Sequence, residues 1–123
     1  MSTLEVSNIT DGTDTVGTGY VVNGSAKAWV NFNGTGTIAA RDSLNVASLT
    51  DVGTGNHTIN LTNNFSDANY NASAVSGTGT SLRNISQANT QASSSFSIYT
   101  GANNTTAPSD AEYNYLTLHG DLA

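Results

Sequence analysis

Apolar and polar side chains alternate along much of the chain after its first 25 residues. In segment 27–33, Ala28, Val30 and Phe32 fall on one side, and the opposite side is polar apart from Trp29. An alternation with a period of two is typical of a half-buried β-strand. Further strands are predicted at residues 37–40, 44–50, 57–62, 70–76, 82–85, 94–100 and 113–119. No segment keeps a helical period over ten residues, so no substantial helix is expected.

The spacing of these strands indicates the fold class. Short strands joined by turns rich in Gly, Asn, Ser and Thr are typical of sandwiches and barrels. We therefore predict one all-β domain over residues 26–123, a small antiparallel β-sandwich or barrel of jelly-roll type. Residues 1–25 differ, because a short apolar stretch at Leu4, Val6 and Ile9 precedes a series of turn residues. This segment is predicted to be an N-terminal arm outside the core.

Composition points to association between chains. Only 37% of the 123 residues are hydrophobic, and no cysteine is available to cross-link the fold. So small a core favours a trimer. Trp29, Tyr113 and Tyr115 lie on otherwise polar strand faces, and such rings combine a large contact area with a polar edge. They are candidate subunit-interface residues, and the alternative for the tyrosines is a small second core.

The charge of the chain excludes several classes of partner. The formal net charge is −6, and only Lys27, Arg41 and Arg83 are cationic. Binding to nucleic acid requires a basic patch, which three scattered cations do not form. No apolar stretch is long enough to cross a bilayer, so membrane insertion is not expected. Residues 1–20 lack a basic start followed by an apolar stretch, so no secretory signal is expected either.

The sequence shows no motif of a catalytic or metal centre. It has no cysteine nucleophile, no G-x-S-x-G turn and no H-E-x-x-H pair. An ordinary turn explains Asp11 and Asp14 better than a calcium site does. His57 and His119 lack the spaced partners of a zinc site and are expected at the surface or at a strand edge. We expect a protein without enzymatic activity, cofactor or metal.

Three polar loops are candidates for recognition. Loops 51–56, 63–69 and 103–109 combine Asn, Asp, Gly and Thr with almost no aliphatic side chains. Their short neutral groups suit hydrogen bonds to sugar hydroxyls, and the alternative is that they are solvated hairpin ends. The candidate receptor or glycan contacts are Asn56, Asn64, Asn103, Asn104 and Thr105.

Three stretches together resemble a known family. They are AKAWVNFNGTGT at 26–37, RDSLNV at 41–46 continuing to DVGTGNHTINLT at 51–62, and the ending LHGDLA. With the opening MSTLEV, they are similar to the tail-fibre-like virion proteins of tailed bacteriophages, notably marine and cyanobacterial ones. The resemblance covers most of residues 26–75 and the C-terminus. It implies a homotrimeric virion surface protein that is made in the host cytoplasm, contacts other virion proteins and is displayed toward a host receptor.

The chain departs from long fibres in one respect. Only about 25 residues precede the domain, and an extended chain gains at most ~3.5 Å per residue. We therefore expect a short tail-fibre tip, a head fibre or a capsid decoration protein. Its arm would attach to the virion through Leu4, Val6 and Ile9, with the polar loops outward. The alternative is a carbohydrate-binding module that recognises a host surface glycan.

Overall fold

The computed structural model describes residues 1–79, 81–82, 84–102 and 107–123. Two antiparallel sheets pack face to face, which confirms the predicted all-β fold as a small sandwich. The elements in chain order are β1 (Asn8–Thr10), β2 (Thr15–Gly17), α1 (Thr18–Gly24), β3 (Ala28–Asn33), β4 (Ala39–Leu44), β5 (Val46–Gly53), β6 (Asn56–Leu61), β7 (Asn71–Thr78), β8 (Ser81–Leu82), β9 (Asn84–Ala92), β10 (Ser95–Gly101) and β11 (Tyr113–His119). One sheet has the order β4-β3-β11-β7-β8 and the other β5-β6-β10-β9, while β1 and β2 form a separate hairpin.

The core lies between the two sheets, where the alternating side chains of each strand meet. Val30 and Phe32 of β3 and Leu116 of β11 face Ile59 of β6 and Ile98 of β10, and all five are buried. Successive side chains of a strand point to opposite faces, so the neighbours of these residues lie on the outside. The period of two therefore determines which side chains form the outer surfaces of the sandwich.

Asn45 is the point where the chain passes from one sheet to the other. It separates β4 from β5 and has a left-handed backbone conformation, with φ 58°, which Asn tolerates better than most residues. Its side-chain oxygen accepts from the N–H of Asn63 at 2.7 Å, and its amide donates to the carbonyl of Asn63 at 3.0 Å. These two bonds fix the corner.

The sandwich has two distinct ends. At the arm end, the N–H of Lys27 donates to the carbonyl of Leu118, and the N–H of Ala123 donates to that of Asn64. At the opposite, distal end, the N–H of Gly34 donates to the carbonyl of Ala111 at 2.9 Å. The arm and the C-terminal residues thus share one end, and the turns after β3, β5, β7 and β10 share the other.

Two predictions about the elements are wrong. Part of the series of turn residues predicted in the arm instead forms the helix α1, which begins at Thr18 and buries none of its side chains. With seven residues, this helix still agrees with the expectation of no substantial helix. The single strand expected at 82–85 is instead divided between the two sheets, since β8 (Ser81–Leu82) pairs with β7, whereas β9 runs from Asn84 to Ala92 and pairs with β10. The sequence of β9 shows no alternation, so its pairing with β10 and not its own pattern determines its length.

Candidate functional site

The structure brings the three predicted aromatic residues to one surface, the outer face of the five-stranded sheet. β11 pairs with β3 on one side and with β7 on the other. Tyr115 lies opposite Asn31, and Thr117 lies opposite Trp29. Tyr115 is 45% exposed, while Trp29 and Tyr113 are half-buried. The tyrosines therefore do not form a second core.

Two exposed aliphatic residues extend this surface, and sequence reasoning did not single them out. Leu44 of β4 pairs with Trp29, and Val75 of β7 pairs with Tyr115. Their exposed fractions are 48% and 57%. We call the surface formed by Trp29, Leu44, Val75, Tyr113 and Tyr115 the aromatic face. Its members come from four strands, of which only β3 and β4 are consecutive in the chain, so the sheet register is needed to show that they share a surface.

Arg41 holds the distal part of the aromatic face in place. Its guanidinium carbon lies 4.8 Å from the centre of the Tyr113 ring, a cation–π arrangement. Its two terminal nitrogens donate to the side-chain oxygen of Asn31 at 3.3 Å and to the carbonyl of Glu112 at 2.9 Å. A hydrogen bond to the Glu112 carboxylate, together with its charge, raises the pKa of Tyr113, and the charge of Arg41 opposes this shift. The charges of Glu112 and Arg41 thus shift the pKa of Tyr113 in opposite directions.

A shallow groove of about 220 Å³ lies at the distal edge of the aromatic face. It is lined by Val75, Ser76, Gly77, Gly79, Ser81, Tyr113 and Tyr115. Two aromatic rings beside hydroxyl and backbone polar groups can bind a small, neutral, hydroxyl-rich ligand by stacking and hydrogen bonding.

The outer face of the four-stranded sheet has a different chemistry. The side-chain amide of Asn60 donates to the hydroxyls of Ser48 at 3.1 Å and Thr50 at 3.0 Å. The hydroxyls of Thr58 and Ser97 share a hydrogen bond of 2.8 Å. Short polar side chains thus bond to one another across the strands, and the result is a hydrophilic surface.

The arm exposes its apolar side chains. Residues 1–25, all of which the structure describes, place no side chain in the core. The predicted attachment residues Leu4, Val6 and Ile9 are exposed, and Leu4 reaches 84%. Tyr20 of α1 is 82% exposed. The ammonium of Lys27 caps the end of α1 by donating to the carbonyls of Val22 and Ser25.

A well-formed turn closes the β1–β2 hairpin of the arm. The side-chain carboxylate of Asp11 accepts from the N–H groups of Thr13 and Asp14, both at 2.9 Å. These bonds lower the pKa of Asp11, because they stabilise its charged form. The arm therefore has a defined local structure even though it contributes nothing to the core.

The candidate loop residues do not share one end. Asn56 is half-buried at the distal end, whereas Asn64 is exposed at the arm end and its carbonyl accepts from the N–H of Ala123 at 2.9 Å. The two loops therefore lie at opposite ends, and the expectation that both belong to one outward end is wrong. The strand between them, β6, runs the length of the sandwich and separates the two loops. Asn103, Asn104 and Thr105 lie outside the described residues.

His57 is buried, contrary to the expectation of a surface position. Its ring is fully covered, meets Phe32 edge-on at 5.6 Å, and finds no hydrogen-bond partner among the described residues. The nearest carboxylate oxygen, Oδ1 of Asp110, is 3.9 Å from Nε2, beyond hydrogen-bond range, and accepts from the N–H of Gly55 at 2.6 Å. His57 thus belongs to the packing of the distal end.

Within the described part of the chain, no three His, Asp or Glu side chains converge as metal ligands, and no helix is long and apolar enough to cross a membrane. The aromatic face, its groove and the arm expose the large apolar side chains described above and are the candidate contact surfaces. No family model, curated protein or solved structure matches this chain.

Proposed function

We propose that this chain is a structural protein of the virion surface of a tailed bacteriophage, of the short tail-fibre, head-fibre or capsid-decoration type. Residues 1–25 attach it to other virion proteins, and the distal end of the sandwich faces outward. The observation that carries the proposal is that the arm exposes its large apolar side chains while the core is complete without them. The assignment to phage proteins depends on the sequence resemblance, which also suggests a homotrimer.

The arm has the properties of a docking segment. Covering one large aliphatic side chain stabilises a complex by about 1.5–3 kcal/mol, and Leu4 and Tyr20 are almost fully available. Contiguous exposed apolar surface marks interaction sites. The arm carries Glu5, Asp11 and Asp14 and no Lys or Arg. Its partner is therefore expected to be an apolar groove with basic residues at its rim.

Particle assembly tests this proposal. Deleting residues 1–25, or replacing Leu4 and Tyr20 together by Ser, should leave a folded sandwich that no longer joins particles, because the docking surface is lost. A Val52→Ser variant is the control, since Val52 is exposed at the distal end and should be neutral for attachment. Particles decorated to full occupancy by the truncated protein would place the attachment outside the arm.

A second candidate function is supported by the groove beside Tyr113 and Tyr115. In this alternative the chain is a carbohydrate-binding module, and the two rings form the platform for a host surface glycan. Tyr113→Ala should then abolish binding on a glycan array, whereas Tyr99→Ala, on the opposite sheet, should leave it unchanged. An array on which the wild-type protein binds no glycan would remove this candidate.

A further inference from the structure

The edges of the two sheets differ in how well they are protected against the addition of another strand. The pairing of β4 with β3 shifts in register between Asn31 and Phe32, that of β5 with β6 shifts twice, and that of β9 with β10 shifts once. Such irregularities are a common device by which natural proteins protect an edge strand. β7, in contrast, pairs with β11 through seven consecutive residues without a shift.

Most of the outer edge of β7 has no strand beside it. β8 covers only the last two residues of β7. At the arm end, the side-chain amide of Gln91 donates to the carbonyls of Ala68 and Tyr70, just before β7 begins. Between these contacts lies segment 71–76, with which no described strand pairs on this side, and we call it the open edge. The backbone groups of alternate residues point to opposite sides of a strand, so about half of those in the open edge lack a strand partner.

The side chains of the open edge indicate which kind of segment would pair with it. Its sequence is NASAVS, without the charged residues and Pro that commonly protect an edge. Ala72 and Ala74 lie opposite buried leucines of β11, so they point toward the core, where they are half-buried. A strand added here would place its own core-side residues next to these two small side chains, where larger apolar groups would extend the core.

We propose that the open edge binds an extended segment of another protein, in which apolar side chains alternate with neutral polar ones. The backbone of this segment continues the sheet through hydrogen bonds, and its apolar side chains cover Ala72 and Ala74. The segment is uncharged on its core side, because the open edge offers no ionic partner to a buried charge. A second copy of β7 fits less well, since it would bring only small side chains to the core side, namely Ala72, Ala74 and Ser76. The inference concerns a contact other than the arm and does not depend on the proposed function.

A short peptide tests the proposal on the intact protein. The probe is a blocked, fluorescein-labelled hexapeptide of alternating Val and Thr, and its binding is followed by fluorescence anisotropy. We expect saturable binding to the wild type. A peptide of the same sequence that is N-methylated at every residue keeps the side chains and loses all backbone donors, so its affinity should be at least about tenfold lower. In NMR, amides of the open edge that exchange rapidly in the free protein should become protected when the unmodified peptide binds.

Two matched lysine variants locate the binding site. Ala74 and Ala40 lie on the core side of strands at opposite edges of the same sheet, since Ala74 pairs with Leu116 and Ala40 pairs with Phe32. An inward-pointing charge on an edge strand blocks the addition of another strand. Ala74→Lys should therefore weaken binding of the unmodified peptide at least about tenfold, whereas Ala40→Lys should bind it like the wild type. Circular dichroism verifies that both variants are folded.

Each outcome of these experiments decides the inference. A wild type without saturable binding, equal affinity for the N-methylated peptide, or an equal loss of affinity in Ala40→Lys would overturn it. Amides of the open edge that are already protected in the free protein would overturn it as well, and a dimeric mass in light scattering would then assign the edge to a second copy. If Ala74→Lys does not fold, the comparison of the two peptides and the amide protection in the wild type still decide the matter.

Discussion

Asn114 is the residue whose replacement tests the structure of the distal end most directly. It is fully buried between Tyr113 and Tyr115, on the inner side of β11. Its side-chain oxygen accepts from the hydroxyl of Ser76 at 2.8 Å, and its amide donates to the carbonyl of Ala111 at 2.9 Å. These bonds connect β11 to β7 and hold the two tyrosines on the aromatic face.

The expected cost of Asn114→Ala follows from these contacts. The substitution removes these two hydrogen bonds and a longer one of 3.5 Å from the amide to the carbonyl of Phe32. It leaves the buried Ser76 hydroxyl without its acceptor, while the Ala111 carbonyl still accepts from the N–H of Gly34. A buried group that loses its partner costs about 1–3 kcal/mol. We expect Asn114→Ala to lower the free energy of unfolding by about 2–4 kcal/mol and Ser76→Ala to lower it by about 1–3 kcal/mol.

The double variant, Ser76→Ala with Asn114→Ala, separates the contribution of the Ser76–Asn114 hydrogen bond from the other effects of each substitution. When both partners are removed, neither leaves the other unsatisfied, so the double variant should lose about 1–2 kcal/mol less than the sum of the single variants. Urea unfolding followed by the fluorescence of Trp29, the single tryptophan, measures all four proteins at one fixed concentration, because association shifts apparent stability. Additive losses, within about 0.5 kcal/mol, would show that this hydrogen bond does not stabilise the fold.

Three further substitutions have defined outcomes. Burial raises the pKa of Tyr70 to about 12. The neutral phenol therefore stabilises the folded state below about pH 10, and this stabilisation is lost between about pH 10 and 12. In urea unfolding, Tyr70→Phe should not show this loss of stability at alkaline pH. Gly55→Ala should reduce the melting temperature far more than Gly36→Ala. Both glycines have a positive φ, but only at Gly55 would an added Cβ collide with a backbone atom, the carbonyl oxygen of Thr100. Asn45→Ala should cost about 1–3 kcal/mol in urea unfolding, because it removes both bonds of the corner, and equal stability would refute the role of that corner.

The strand faces could be predicted from the sequence, but the strand pairings could not. Alternation in segments 27–33 and 113–119 correctly separates the inward side chains from Trp29, Tyr113 and Tyr115. That these rings share a surface depends on β3 pairing with β11, the first and last strands of the sandwich. Such a pairing depends on long-range packing, which a local pattern does not contain. The positions of Leu44 and Val75 on this surface likewise depend on strand pairing and could not be predicted from a local pattern.

The position of His57 shows a signal that sequence reasoning undervalued. His57 alternates with Ile59 and Leu61, so the period of two alone places its ring in the core. The polarity of histidine suggested the surface instead. The misplacement of loop 63–69 has a related origin, because a signal in the predicted strands was not used. Each strand takes the chain to the other end of the sandwich, so the one predicted strand between loops 51–56 and 63–69, residues 57–62, already places these loops at opposite ends.

The arrangement of the two ends determines how the molecule would bear a load. The arm leads into β3 at Ala28 at the arm end, whereas segment 107–112 leads into β11 at Tyr113 at the distal end. These antiparallel strands pair from Ala28–Leu118 to Phe32–Asn114. A force applied between the arm and the distal end would act on the N-terminus of β3 and on the N-terminus of β11, and would draw the two strands in opposite directions along their length. Their hydrogen bonds lie perpendicular to that direction and must be broken together rather than peeled apart one by one. Forced unfolding is governed by the unfolding rate, and a step that breaks many hydrogen bonds at once is slow. This shear geometry therefore favours mechanical resistance along the axis from the arm end to the distal end.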